Sequence, residues 1–231
     1  MTAGGMRTEG VFRVPDRPTG RVVVRILDGE PGYEIPTGQA WDHIPRGVLD
    51  VAADERPAVL YHGTLALREE HNRNLLQDLL ENGATRAYLD VNLRAPWWTH
   101  EGVERSVAQA AWVRMNEGEL ALLTADADAD SVPPEDRARA LARKHALDRL
   151  VVTRGAAGAL EVVDGDRLVE SPSVRREGTV DTVGAGDAFS AVHMLGVLRG
   201  WAPEVALRRA NRFAADVCRI AGATPDDDSL Y

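Results

Sequence analysis

The chain reads as an α/β protein: a mostly parallel sheet with helices on both faces, plus a small β appendage at the N-terminus. Two patterns predict this. Apolar strand-type runs alternate with amphipathic helix-type segments from residue 57 onward, the arrangement of a parallel sheet. Ahead of them stand three strand-type runs with no helix between them. A third observation concerns function, because each polar motif described below follows a strand directly. Ligands of open α/β sheets bind beyond the carboxyl ends of the strands.

The N-terminal runs are Val11-Phe-Arg-Val14, Arg21-Val-Val-Val-Arg-Ile-Leu27 and Gly32-Tyr-Glu-Ile35, separated by the turn sequences Pro15-Asp-Arg-Pro18 and Asp28-Gly-Glu-Pro-Gly32. Ala58–Thr64 is a buried-type strand, and Leu67–Asn82 a helix with Leu75, Leu76, Leu79 and Leu80 on one face. Strands follow at 86–92 and 112–115, with a helix at 100–110 between them. Pro133–His145 is helical and begins with a proline pair, as a helix start permits. Arg149–Thr153 is the last parallel strand, followed by a hairpin of 159–163 and 167–169 around Asp164-Gly165. Helices at 185–199 and 203–221 close the chain.

Composition bounds the function. The 231 residues are 44% hydrophobic and 27% charged, sufficient for one substantial core. Lys and Arg total 27 against 36 Asp and Glu, a net charge of -9, which argues against nucleic acid or an anionic membrane as partner. The first ten residues hold no apolar core, and no uncharged apolar run reaches the length of a membrane span, so a cytoplasmic location is expected. Cys218 is the single cysteine, which excludes an internal disulfide. Asp126, Asp128 and Asp130 have the early spacing of a calcium loop, but Ser131 and Arg137 stand where Gly and Glu are required, so a solvated acidic loop is expected.

The chemistry centres on Val-Asp-Thr-Val-Gly-Ala-Gly-Asp-Ala-Phe, residues 180–189. Gly184, Ala185 and Gly186 let backbone come close to a ligand, and the amides opening the next helix form an anion site. A carboxylate there repels phosphate, so Asp187 makes more sense as a base that takes a proton from a hydroxyl. The bland alternative is a turn with an acidic residue at the positive end of a helix.

Asp181-Thr182-x-Gly184-Ala185-Gly186-Asp187-Ala-Phe189 closely resembles the C-terminal signature of the PfkB, or ribokinase-like, carbohydrate kinases. The resemblance implies a ribokinase-like fold, with Asp187 as catalytic base and Gly184 to Gly186 as anion hole. The early strands would then form a β lid over the sugar, residues 1–45, through which a homodimer forms in many members; residues 46–231 would be the nucleotide-binding and catalytic core. Tyr33 and Trp41 are candidate sugar-facing aromatics, with simple packing at the hinge as the alternative.

Asp90-Val-Asn-Leu-Arg-Ala-Pro-Trp-Trp98 is similar to a stretch of the fructokinase-like branch, which makes Asn92 and Arg94 candidates to grip sugar or phosphate oxygens; otherwise Arg94 pairs with Asp90 and the tryptophans pack. Asn116-Glu-Gly-Glu119 has the form of a capping box and also resembles the family's Asn-x-x-Glu motif, whose Glu organises Mg2+ and phosphate. Thr153, Gly155 and Gly158 match the family's Thr-x-Gly-x-x-Gly at the nucleotide site, with Asp181 and Thr182 beside it and Asn211 near the adenine. Phosphate-binding loops of the GxxxxGK[ST] and Rossmann types are absent.

The implied activity is transfer of the γ-phosphoryl group of ATP to a sugar hydroxyl, fructose first, with Mg2+ and, by resemblance, K+ as ions. Two departures stand out. The family usually has Ala or Gly where this chain has Val192, which predicts disturbed packing of the catalytic helix. Members also open with an Asp-bearing strand and a Gly-Gly-x-x-x-Asn stretch, so about the first quarter of the fold, with much of the sugar pocket, is expected to be missing here. That leaves open a non-catalytic nucleotide-binding or regulatory protein, or a fragment of a longer kinase.

Overall fold

The computed structural model describes residues 7–27, 30–82, 86–125, 131–174 and 178–222, without the side chains of 24–33 and 82. The acidic stretch 126–130 and the Tyr33 side chain therefore lie outside the described residues. The chain divides into two compact units, Met1–Ala87 with Arg94–Trp98, and Tyr88–Leu93 with Thr99–Tyr231.

The first unit holds the antiparallel hairpin β1 (Val23–Leu27) and β2 (Glu30–Glu34), then α1 (Val48–Glu55), β3 (Val59–Gly63) and α2 (Glu70–Asn82). Val11–Val14 is not a strand: Val11 N–H bonds the Thr8 carbonyl and Arg17 N–H the Val14 carbonyl, so the segment is spent in turns. Pro15 has no N–H to offer a ladder, which explains why the apolar alternation misleads there.

This unit is tied by Arg68. Its guanidinium forms two 2.7 Å bonds to the Asp42 carboxylate and donates to the carbonyls of Ile35 (3.1 Å) and Pro36 (2.6 Å). The rings of Trp41 and Trp97 lie over its Cζ at 4.4 and 4.8 Å. Both charged side chains are 2% exposed. Trp41 thus packs on Arg68 at the exit of the hairpin. Asn72 closes the same corner, donating to the carbonyls of Trp41 and Ala66 and accepting from the Ile44 amide.

The second unit carries most of the sheet. β4 (Arg86–Asp90), β5 (Trp112–Asn116) and β6 (Arg149–Thr153) run parallel, and β7 (Ala159–Val163) and β8 (Arg167–Ser171) extend the sheet antiparallel. The order among these strands is β4-β5-β6-β7-β8. The turn joining β7 to β8 has positive φ at both Asp164 (50°) and Gly165 (73°), the conformation of a two-residue hairpin. The helices are α3 (His100–Ala108), α4 (Glu117–Leu123), α5 (Pro134–Lys144), α6 (Ala185–Leu198) and α7 (Pro203–Val217).

Strand alternation makes the two faces of this sheet chemically different. Leu89, Val113, Leu150 and Val162 are consecutive register partners and all are buried, so one face is apolar. Helices α4 and α5 pack against these strands. The other face presents Asp90, Arg114, Val151 and Glu161 as register partners. There Val151, Ala159 and Val169 pack with Phe189 of α6 and with Leu207 and Ala210 of α7. Burying one side chain of that size contributes about 2–3 kcal/mol. Val192 packs against the same cluster, so its bulk is absorbed. The tight α6–α7 crossing falls one turn later: a Cβ on Gly196 would lie 2.8 Å from the Ala206 Cβ.

Polar bonds across this face fix α6. His193 Nε2 lies 3.1 Å from Glu161 Oε1, and Nδ1 lies 3.2 Å from the Tyr88 hydroxyl. Burial pushes the Glu161 carboxyl up, but His193 and Arg149 (2.8 Å) outweigh it and hold it below the usual carboxylate range.

Two stability measurements follow. Arg68→Met leaves Asp42 buried without its cation and should cost about 3–5 kcal/mol in urea unfolding of the first unit, whereas a surface arginine variant should cost little. His62, on β3, has both ring nitrogens inaccessible and without a well-formed hydrogen bond among the described residues, and burial, opposed only in part by the Gly63 backbone, pushes its pKa down to about 4. Its neutral form is favoured by folding, so stability is full above about pH 6.5 and is lost as pH falls towards 4, by at most about 3 kcal/mol. His62→Phe should raise stability below pH 6 and flatten that slope; an unchanged pH profile would contradict this assignment.

Candidate active site

The stretch from Val180 to Asp187 is held at both ends. Val180 and Asp181 N–H both reach the Cys218 carbonyl, at 2.8 and 3.3 Å. The Asp181 carboxylate accepts from the Val183 amide at 3.0 Å and the Gly222 amide at 3.2 Å. Those two bonds hold its carboxyl below the usual carboxylate range. Asp181 thus spends its side chain on shaping the loop. The Thr182 carbonyl takes the Ala185 amide at 3.3 Å, and the Thr182 side chain is exposed.

Gly184 then enters the left-handed region (φ 81°), which turns the chain into α6; a residue with a side chain is strained there. Helix α6 begins at Ala185, and the Ala188 amide makes its first long bond, 2.9 Å to the Gly184 carbonyl. Among the described residues the amides of Gly184 and Gly186 meet no acceptor, as the opening turn of a helix requires. Asp187 sits in this turn and is exposed. Partly exposed amides and a carboxylate are therefore together at one helix start, the combination an anion site with an adjacent base needs.

The helix start rests on a buried charge. A Cβ on Gly186 would lie 3.2 and 3.3 Å from the Nη2 and Nη1 of Arg114, so the guanidinium stands close beside the first turn of α6. Arg114 projects from β5 and donates to Asp90 on β4 (3.0 Å) and to the Thr153 hydroxyl on β6 (3.1 Å). Asp90 also accepts from the Ser190 hydroxyl of α6 at 2.8 Å. Burial works against the charge on Arg114, and Asp90 with Glu119 restores it, so the guanidinium is held even more firmly protonated than an ordinary arginine. Arg114 is absent from the motifs read in the sequence, and Asp90 stands in one only as an alternative partner for Arg94. The available signal was a charged residue in the middle of the buried strand Trp112–Met115.

Glu119 follows within one turn. The Asn116–Glu119 capping box forms in full: Glu119 N–H donates to Asn116 Oδ1, and Asn116 N–H to Glu119 Oε2, both at 2.8 Å. The second Glu119 oxygen accepts the Leu93 amide at 2.8 Å, which ties the segment after β4 to α4. Each oxygen keeps a lone pair beyond these bonds, so a buried carboxylate (5% exposed) that bonds amides can still serve a hydrated divalent cation. Asn92 precedes this contact, exposed and in the left-handed region (φ 40°) that asparagine tolerates. Arg94, two residues on, belongs to the first unit and is exposed.

On the far side of β6, Gly155 and Gly158 bracket a single 3-10 turn, and the Arg154 amide closes it onto the Gly158 carbonyl at 2.7 Å. Asn211 of α7 is buried, its Nδ2 donating to the carbonyls of Ser171 (3.2 Å) and Pro172 (3.4 Å). Thr153 is linked to the helix start through Arg114; Asn211 is fixed instead against the end of β8.

The description "pfkB family carbohydrate kinase" matches residues 13–229. 2-dehydro-3-deoxygluconokinase of Escherichia coli is 33% identical over 159 residues, covering 65% of this chain and 48% of that one, about half its length. 2-dehydro-3-deoxygalactonokinase of Haloferax volcanii is 31% identical over 266 residues, covering 96% and 81%. Among solved structures, an uncharacterized sugar kinase from Pyrococcus horikoshii in complex with ATP has a TM-score of 0.78 at 21% identity, covering 96% of this chain and 72% of that one. Fructokinase from Vibrio cholerae with fructose, ADP and calcium has a TM-score of 0.72 at 20% identity, covering 91% and 70%. These two likenesses show the α/β fold expected from the sequence. Among the described residues no helix is long and apolar enough to cross a membrane. The chain belongs to the pfkB family of carbohydrate kinases.

Proposed function

We propose that this chain transfers the γ-phosphoryl group of ATP to a hydroxyl of a sugar, with Mg2+ present. The observation that carries this reading is the start of α6, where Asp187 stands beside amides that meet no acceptor among the described residues. Asp187 takes the proton from the attacking hydroxyl as the bond to phosphorus forms. The Gly184–Gly186 turn meets the charge on the phosphoryl oxygens, and the γ-phosphate's bond to ADP breaks on the opposite side. Positioning and electrostatics supply nearly all of the catalysis in such transfers.

Glu119 is the residue that would hold Mg2+, through water, and the metal would neutralise phosphate charge. Thr153, Gly155, Gly158 and Asn211 would line the nucleotide site, with Asp181 and Thr182 shaping the loop that covers it. Asn92 and Arg94 would receive the sugar. The acceptor class is a 2-keto sugar, which includes fructose and the 2-keto-3-deoxy acids named in the two curated relatives. The cationic Arg94 favours an acid.

A coupled assay of ATP-dependent phosphorylation across fructose, 2-dehydro-3-deoxygluconate and 2-dehydro-3-deoxygalactonate tests this. Turnover on one of them should fall about a thousandfold or more in Asp187→Asn, with ATP affinity kept within about threefold. Normal turnover in that variant would remove Asp187 from the mechanism.

A further inference from the structure

We propose that Arg114 is the built-in positive charge of the phosphoryl site: a positioning residue that seats the first turn of α6 and adds its field to the Gly184–Gly186 amides. The inference rests on the kinase reading above and adds a residue that no motif marks.

Three observations carry it. First, the guanidinium is in contact with the helix start itself, with Nη2, Nη1 and Cζ at 3.2, 3.3 and 3.5 Å from the Cβ position of Gly186. An anion on the Gly186 amide, at the usual hydrogen-bond length, would lie within roughly 9 Å of it. Second, Arg114 is bound on both sides of the turn it supports: its partner Asp90 receives Ser190, four residues along α6 from Gly186, and its other partner is Thr153. Helix start, β4, β5 and β6 are joined through one side chain. Third, the arrangement is costly if its only task is packing. The Arg114 side chain is 13% exposed and its Nε is buried with no partner among the described residues. A buried ion pair with an unused donor is often no more stable than apolar residues of the same volume.

The electrostatics supply the reason to keep it. Glu119 and Asp187 put two carboxylates where a polyphosphate must bind, and like charges repel. Asp90 balances Arg114 formally and bonds Nη1, but Nη1, Nη2 and Cζ all stand at the Gly186 Cβ position, whereas the second Asp90 oxygen is spent on Ser190, so the cation is the charge that meets the helix start. In a partly buried setting a fixed charge at this range changes anion affinity by about tenfold or more.

The test uses the full chain and two readouts, the affinity for Mg-ATP relative to Mg-ADP by calorimetry, and kcat/KM. Asp90→Asn with Arg114→Met removes the pair together and leaves no unpaired charge, so folding survives. That double variant should lose about tenfold of its preference for ATP and about a hundredfold in kcat/KM, with a thermal midpoint close to the parent. Arg114→Lys should recover most of both, and Asp90→Asn alone, which keeps the cation, should hold or increase the ATP preference. A double variant with the parent's preference overturns the inference, as does Asp90→Asn behaving like the double. If the double variant does not fold, the two single variants decide by the same comparison. If the parent binds ATP but phosphorylates no sugar, the kinase reading fails while the nucleotide preference still decides the role of Arg114. A parent that binds neither nucleotide overturns both.

Discussion

The buried pair of Asp90 and Arg114 is the constraint on which the candidate site depends. It is a register pair of β4 and β5 before it is an ion pair, so the strand pairing itself brings the charges together. Once formed, it dictates what lies above. A side chain on Gly186 would press on the guanidinium, and Ser190 faces Asp90 because one helical turn separates it from Gly186. Thr153 completes the set from β6. The position of the helix start, and so of Asp187 and the open amides, follows from a network anchored on three adjacent strands rather than from the loop's own preferences. Such anchoring is what keeps charge-stabilising groups fixed while charge develops.

The same logic extends along α6. One face of the sheet is apolar, whereas the face under α6 holds Asp90, Arg114, Glu161 and Tyr88. Hydrophobic contact alone tolerates rotation and sliding, because it is roughly proportional to area. Bonds from Ser190 and His193 do not, since each fixes a direction and a distance. Phe189 and Val192 supply apolar burial between those polar anchors. The first unit uses the same device in Arg68, whose charge is buried by Asp42 and two tryptophans.

Much of this was legible in the sequence, and the failures have physical causes. The strands and helices of the second unit follow from periodicity because buried strands and amphipathic helices have distinct patterns. The capping box at Asn116 and Glu119 is visible because it is local, and the structure forms both of its bonds. Val11–Val14 misleads because alternation without a pairing partner is not a strand. The helix Val48–Glu55 goes unread because it is short and buries no residue fully. Arg114 is unreadable as a functional candidate because its meaning comes from residues 24, 39 and 76 positions away, at Asp90, Thr153 and Ser190, a pairing that only the fold makes. Val192 shows the converse. A departure from the family's pattern looks disruptive in a motif, yet the side chain packs against the core cluster and does not fall at the Gly196 crossing.

The central claim is that a nucleotide's terminal phosphate binds the opening turn of α6. Hydrogen exchange of the backbone amides, measured on the full chain with no nucleotide, with Mg-ADP and with Mg-ATP, tests it most directly. The account predicts slowed exchange at 184–187 that is stronger with Mg-ATP than with Mg-ADP, with lesser protection at 153–158. Bound Mg-ATP that leaves the amides of 184–187 exchanging as in the free protein would contradict it.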